Sequence, residues 1–260
     1  MIRTAYQEQF IAFETIVRRE IMRFLRIWTQ TLLPPVITQT LYFVIFGKFI
    51  GARIGDIQGV SYMAFIIPGL VMMAVINSAF SNVVSSFFSV KFQRSIEEVL
   101  VSPTSNVAII AGYVVGGMIR GILVGLIVFM VSIFFTRPNI EHIGIILIFI
   151  LLTALVFSLA GLTNAIFAKK FDDVSIFPTF VLTPLTYLGG VFYSIHSLPG
   201  IWQKVSLFNP VLYMVNGFRY GFYGFSDVSV SSSIFFLIVL SGILIYANVY
   251  LLDKGTGIKS

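Results

Sequence analysis

Few residues in this chain are of types that do chemistry, and their placement decides which chemistries are left. Every Asp and Glu reads as part of a loop, a tail or a surface helix rather than of an apolar stretch. Ion-coupled carriers and intramembrane carboxylate proteases keep ionisable groups at mid-membrane depth, so this distribution argues against both. His142 and His196 stand far apart, without HExxH spacing, and read as interfacial side chains rather than metal ligands or catalysts. The C-terminal GTGIKS lacks both the GxxxxGK[ST] spacing and the preceding strand of a phosphate-binding loop. The reading therefore expects no catalytic residue, no metal and no cofactor held by this chain.

Two features remain. Residues 91–103, KFQRSIEEVLVSP, form a charged island between two long apolar stretches. Within it Phe92, Ile96, Val99 and Leu100 recur at helical spacing, while Arg94, Glu97, Glu98 and Val101 lie on other faces. That pattern describes a short surface helix that another protein can grip. The second feature is Arg120 in GGMIRGIL, flanked by Gly116, Gly117 and Gly121, small residues that permit close helix approach. An arginine at the centre of a span costs at least ~2.5 kcal/mol on insertion scales, so its side chain must face protein or a watery cavity. An ion pair, a hydrogen bond to carbonyls freed near a broken helix, and substrate contact all satisfy that requirement. Asn77, Asn82, Asn164 and Asn216 are open in the same way.

The elements that must position these residues follow from composition. The chain has 260 residues, of which 57% are hydrophobic and only 11% charged. A soluble globule of this size needs more polar surface, so the chain belongs in a membrane. Its long apolar runs lack the period-2 alternation of barrel strands, which leaves a helical bundle. The expected fold is an all-α membrane protein in one transmembrane domain. Six spans are expected, at about 30–50, 60–88, 105–135, 143–168, 174–194 and 232–252. Pro34 and Pro35 near the start of the first span, and Pro68 with Gly69 in the second, mark bends or breaks. Before the first span, Tyr6, Phe10, Phe13, Val17, Ile21, Phe24, Leu25 and Trp28 share one helical stripe, with Glu8, Arg19, Arg23 and Arg26 roughly opposite. Residues 1–28 thus read as an amphipathic interfacial helix whose basic side is drawn to anionic lipid.

The +6 balance is explained by topology. With the N-terminus cytoplasmic, Arg3, Arg18, Arg19, Arg23, Arg26, Lys91, Arg94, Lys169, Lys170, Lys254 and Lys259 fall inside, against Lys48, Arg53, Arg137, Lys204 and Arg219 outside. That asymmetry places both termini in the cytoplasm and removes the case for a nucleic-acid partner. It also makes 91–103, with the N-terminal helix, the main cytosolic surface. On the outer side, residues 187–224 are too apolar and aromatic for an exposed loop. Pro199 and Pro210 each stand where a helix can begin, Asn209 can cap the second, and Gly217, Gly221 and Gly224 break its end. The expectation is a pair of short outer reentrant helices over 195–224, with Trp202 and the tyrosines at the interface.

RSIEEVLVSP (94–103) followed by NVAIIAGYVVGGMIRG (106–121) resembles the signature of ABC type-2 exporter permeases: Arg, an acidic residue, Leu, then Ser/Thr-Pro. LGGVFYSIHSLPGIWQKVSLFNPVLYMVNGFRYG (188–221) resembles that family's second block, with its Gly-Val-Phe/Tyr turn, Leu-Pro, Trp, Asn-Pro and terminal Arg. Many members have Gly-Thr where this chain has Ser95-Ile96. The resemblance covers essentially the whole chain. It implies the membrane subunit of a bacterial inner-membrane exporter that homodimerises, recruits two copies of a separate ATPase carrying ATP and Mg, and moves a lipid-linked, glycan or hydrophobic substrate outward. It also implies that 91–103 is the coupling helix docked on the ATPase through Arg94, Ile96, Glu97, Glu98, Val99, Leu100 and Pro103. Tyr193, Pro199, Trp202, Asn209, Pro210 and Arg219 would belong to the external gate. The competing expectation is a non-transporting membrane scaffold that recruits a cytosolic partner through the same surface.

Overall fold

The computed structural model describes residues 5–95 and 103–257. The N-terminal helix α1 (Ala5–Arg26) is followed by a broken first long helix, Trp28–Ile50. This consists of α2 (Trp28–Thr31), α3 (Leu33–Tyr42) and a π-helical turn, Phe43–Ile50, continued by α4 (Gly51–Ile54). The break at Leu32 has a covalent cause: Pro34 and Pro35 occupy the first turn of α3 and offer no amide hydrogens to the carbonyls behind them. A two-stranded antiparallel hairpin, Asp56–Ile57 with Val60–Ser61, then qualifies the all-α expectation. Its turn residues Gln58 (φ 52°) and Gly59 (φ 85°) both adopt the left-handed geometry that a tight two-residue hairpin requires.

Helix α5 (Tyr62–Phe92) is the central post, buried along most of its length. Around it stand α6 (Asn106–Ser132) and α7 (Ile143–Phe167), with α12 (Val230–Lys254) against α6 and α7. The α5–α6 seam is closed by glycines: a Cβ at Gly121 would lie 2.9 Å from the Ala79 Cβ and 3.1 Å from the Val75 carbonyl oxygen. Only a glycine admits that approach, as the small-residue pattern around Arg120 predicts.

Among the described residues five helices are long and apolar enough to cross a membrane: Trp28–Ile50, Tyr62–Phe92, Asn106–Ser132, Ile143–Phe167 and Val230–Lys254. The expected span at 174–194 is different. It consists of α8 (Phe171–Phe177), a π-helical turn (Pro178–Leu182) and α9 (Thr183–Tyr187), pieces of 7, 5 and 5 residues. Pro178 and Pro184 each remove a helical donor, so the run rewinds; it ends at Tyr187, short of the expected 194, just before Gly190 turns left-handed at φ 74°. Beyond it lie a 3₁₀ turn (Ile195–Ser197), α10 (Gly200–Ser206) and α11 (Pro210–Tyr223).

Hydrogen bonds sort the helix ends. At one end the Lys91 Nζ reaches the Ala168 carbonyl, and the Asn106 side chain reaches Asp253. At the other, the Tyr62 hydroxyl donates to the Phe192 carbonyl, Gln58 donates to Asp227, and the His142 amide donates to the Gly221 carbonyl.

Candidate functional site

The connection between α5 and α6 is anchored on both shoulders. Lys91 and Phe92, expected to open a surface helix, are instead the last residues of α5. The helix closes there because Arg94 adopts φ 59°, a left-handed conformation that α-helix cannot continue. Ile96, Glu97, Glu98, Val99 and Leu100 lie outside the described residues. On the far shoulder the Gln9 Nε2 of α1 donates to the Pro103 carbonyl (2.6 Å), and the Ser105 amide donates to the Gln9 Oε1 (2.7 Å). Ser105 then caps α6 by accepting from the Ala108 amide, and the Asn106 Nδ2 donates to the Asp253 Oδ1 at the end of α12 (2.6 Å). On the near shoulder the Lys91 Nζ donates to the carbonyls of Ile166 (2.6 Å), Ala168 (2.7 Å) and Ala165 (3.3 Å).

Helix α1 is fixed to the bundle by a polar cluster that the sequence does not announce. Glu20 does sit on a surface helix, as read, yet its side chain is fully buried. It accepts from the Ser86 hydroxyl of α5 (2.6 Å) and pairs with Arg23 at 3.1 Å and Arg19 at 3.5 Å. Arg23 donates to the Asn82 side chain (2.9 Å) and backbone carbonyl (3.0 Å), and Arg19 donates to the Tyr113 hydroxyl of α6. Arg19 and Arg23 thus hold protein partners at their tips, although the Arg19 side chain stays nearly half exposed. The side of α1 turned toward the bundle carries Ile16, Glu20, Arg23 and Phe24, at spacings of four, three and one residues. Tyr6 and Phe10 of the apolar stripe stay exposed.

Proline-freed carbonyls account for three polar side chains inside the bundle. In a regular helix the Thr31 carbonyl would accept from residue 35, but Pro35 has no N–H; the Arg120 Nη2 donates there instead (3.0 Å). Pro68 likewise frees the Ala64 carbonyl, which accepts from the Tyr223 hydroxyl of α11 (2.8 Å). Pro178 frees the Val174 carbonyl, and the Asn164 Nδ2 of α7 reaches it at 3.5 Å. In each case a second helix supplies the donor that the proline withholds, which makes a broken helix tolerable where water is absent. Of the readings open for Arg120, the geometry matches the hydrogen bond to a freed carbonyl; no carboxylate lies within ion-pair distance of it among the described residues. Asn77 bonds back to the Met73 carbonyl of its own helix.

At the opposite end α10 and α11 form the expected pair of short helices. Pro199 immediately precedes α10, and Pro210 opens α11. Asn209 caps α11 by accepting from the Val211 amide (2.9 Å) and donates to the Leu185 carbonyl of α9 (2.7 Å). Gly224 ends α11 at φ 71°, as expected, but Gly217 and Gly221 do not break it. They lie within the helix, where their missing side chains let it press on Phe149 and Ile146 of α7. Trp202 is half exposed, and Ile201 and Phe208 are more so.

Arg219, assigned by sequence to an outer segment, is only 1% exposed. Its guanidinium lies over the Phe65 ring (3.9 Å to the centroid) and donates to the carbonyl of Gly190 (2.7 Å), itself in the left-handed conformation at φ 74°. The Tyr193 hydroxyl is buried without a partner among the described residues. Asp227 ties this cap together, accepting from Ser194, the Ile195 amide and Gln58.

Sequence reasoning missed Glu20, Lys91, Tyr223 and Asp227. The signal for Tyr223 was partial: Pro68 tells which carbonyl is free, but only packing tells which donor takes it.

The chain has relatives in sequence. The family described as ABC-2 type transporter matches residues 11–223 of the chain. The inner membrane transport permease YadH of Escherichia coli K12 is 53% identical over 251 residues, covering 96% of this chain and 98% of that protein. Nodulation protein J of Rhizobium meliloti is 24% identical over 205 residues, 78% of either chain. Nodulation protein J of Rhizobium leguminosarum bv. viciae is 24% identical over 180 residues, covering 69% and 70%.

Proposed function

Because this chain belongs to the ABC-2 type transporter family, we propose that it is the permease subunit of an ATP-driven exporter, working as a homodimer with two copies of a separate ATPase that carries ATP and Mg. The substrate class is a lipid-linked, glycan or otherwise hydrophobic molecule moved outward. The observation that carries the reading is the anchored connection between α5 and α6. A partner gripping 96–102 would pull on shoulders of α5 and α6 already hydrogen-bonded to α1, α7 and α12, so one contact would reach five helices at once.

Topology supports the same reading. The start of α6 and the end of α12 meet through Asn106 and Asp253, which favours an even number of crossings and both termini on one side. The run from Val174 to Tyr187 then serves as the fifth of six crossings. Its first part lies near Asn164 and its last residue bonds Tyr42, hydroxyl to hydroxyl, at 2.8 Å. Lys91, Arg94, Lys169, Lys170 and Lys254 cluster at the end that the positive-inside rule assigns to the cytoplasm. At the outer end α10 is far too short to span, and it presents Ile201, Trp202 and Val205 outward, as a reentrant helix in lipid would. Tyr193, Pro199, Trp202, Asn209, Pro210 and Arg219 belong to this outer closure.

The mechanism is a lever. ATP-driven closure of the ATPase pair displaces 96–102, and Glu97 and Glu98 provide the charged contacts while Ile96, Val99 and Leu100 seat the segment. In liposomes containing the permease with its ATPase, the double substitution Glu97→Lys, Glu98→Lys should leave membrane insertion intact and abolish ATP-driven export. Unchanged hydrolysis and export would refute the coupling assignment. Substrate-stimulated hydrolysis in the unsubstituted complex separates a transporter from a scaffold.

A further inference from the structure

We propose that Lys91 is a positioning residue that makes α7 and the start of α8 travel with α5 during transport, so that the coupling segment drives a four-helix unit rather than α5 and α6 alone. The inference rests on the permease reading above and adds to it the route by which force leaves the segment. The last carbonyls of any helix lack internal donors, and the helix dipole makes that end electronegative. Here the end of α7 is capped by a cation from another helix. The Lys91 ammonium donates to three carbonyls of the α7 terminus and the residue beyond it: Ala165, Ile166 and Ala168. Charge-assisted bonds of this kind are about twice as strong as neutral ones.

An aromatic contact reinforces the joint. Phe88 and Phe92, on the same turns of α5, pack on Phe171, the first residue of α8, at ring separations of 5.0 and 4.8 Å. The chain's C-terminal turn seats on the same spot, since Gly257 approaches the Ile166 carbonyl too closely to admit a Cβ. Arg94, three residues beyond Lys91, is where helical geometry stops. On the α5 side, a displacement of the segment therefore enters the bundle through the turn that carries Lys91. Lys91 acts through α7.

The chain contains no cysteine, so a labelled pair can be introduced without background. Spin labels at Gln93→Cys and Phe167→Cys, both exposed positions, report the α5–α7 separation in the reconstituted complex with its ATPase, nucleotide-free and ATP-trapped. With Lys91 present, the separation should be the same in both states. Lys91→Met, which keeps the chain length and removes the charge, should split or broaden the distribution on ATP binding. It should also lower transport per ATP hydrolysed by roughly 2- to 30-fold, the range of single positions along a coupling route. Lys91→Arg should restore both readouts. A Lys91→Met complex with natural distances and natural transport per ATP overturns the inference while leaving the permease reading intact. Absence of ATP-driven transport in the unsubstituted complex overturns both. Should Lys91→Met fail to assemble, Lys91→Gln is scored on the same two readouts.

Discussion

If Arg120 is present to satisfy a carbonyl that Pro35 leaves open, restoring the missing N–H should make the arginine dispensable. The test is a double-mutant cycle of Arg120→Met and Pro35→Ala. The bond is 3.0 Å from the Arg120 Nη2 to the Thr31 oxygen, and Arg120 is 8% exposed. A hydrogen bond to a charged group contributes about 1.5–3 kcal/mol in soluble proteins. Side-chain bonds measured within membranes average about 0.6 and reach about 1.7 kcal/mol, because the unfolded chain in lipid finds partners too. A charge-assisted bond to an otherwise orphaned carbonyl belongs at the upper end, so the expected coupling is about 1–1.7 kcal/mol. Arg120→Met alone is not diagnostic in sign. It loses the bond but also relieves an intramembrane charge of at least ~2.5 kcal/mol on insertion scales. The cycle removes that relief, which is common to both backgrounds. Reversible unfolding of the four proteins in mixed micelles, extrapolated linearly in denaturing detergent, measures each corner. Additivity within about 0.3–0.5 kcal/mol would refute the assignment.

Other outcomes follow from the same geometry. Tyr223→Phe with Pro68→Ala should couple more weakly, at about 0.6 kcal/mol, because the Tyr223–Ala64 bond is neutral; the same unfolding assay reads it. Arg219→Met should release the Gly190 turn, raising amide exchange over 190–197 by roughly 5- to 150-fold for a loss of about 1–3 kcal/mol, and unchanged exchange in detergent would sink the clamp assignment. Asp173, in the charged turn that precedes the apolar part of its segment, accepts from the amides of Lys169 (2.8 Å) and Lys170 (3.0 Å), and these bonds hold its carboxyl below the usual range. A depressed folded pKa means the contribution is complete above the unfolded value of about 3.9 and is lost as pH falls through the folded pKa. The Lys169 and Lys170 amides should therefore shift with a midpoint below that of a free aspartate, and Asp173→Asn should abolish the titration.

Much of the architecture is legible without coordinates because one solvent imposes it. A chain with few charges must pair its backbone internally, so the long apolar runs become helices, and their ends are found to within a few residues. Proline and glycine chemistry is local enough to read as well. Pro199, Asn209, Pro210 and Gly224 bound the two outer helices where their covalent geometry says they must. The expected close approach at Gly121 follows from an absent side chain. The span expected at 174–194 is interrupted and ends early because hydropathy measures transfer energy and is blind both to the donors that Pro178 and Pro184 remove and to the left-handed turn at Gly190. Gly217 and Gly221 were misread for the converse reason: a glycine tolerates a break but does not cause one when a neighbouring helix needs the space.

Sequence alone determined that this is a helical membrane protein, that Pro34, Pro35 and Pro68 mark bends or breaks in its first two spans, and that a charged island joins the second and third long helices. Tertiary structure decided who answers each free carbonyl: Arg120 for Thr31, Tyr223 for Ala64, Asn164 for Val174. It also buried Glu20 against Ser86 beneath Arg19 and Arg23, and placed Lys91 on the end of α7. Helix formation depends on residues four apart, which a sequence displays. The choice of a donor depends on the rotation and depth at which two distant helices pack, and that is set by the sum of contacts along both.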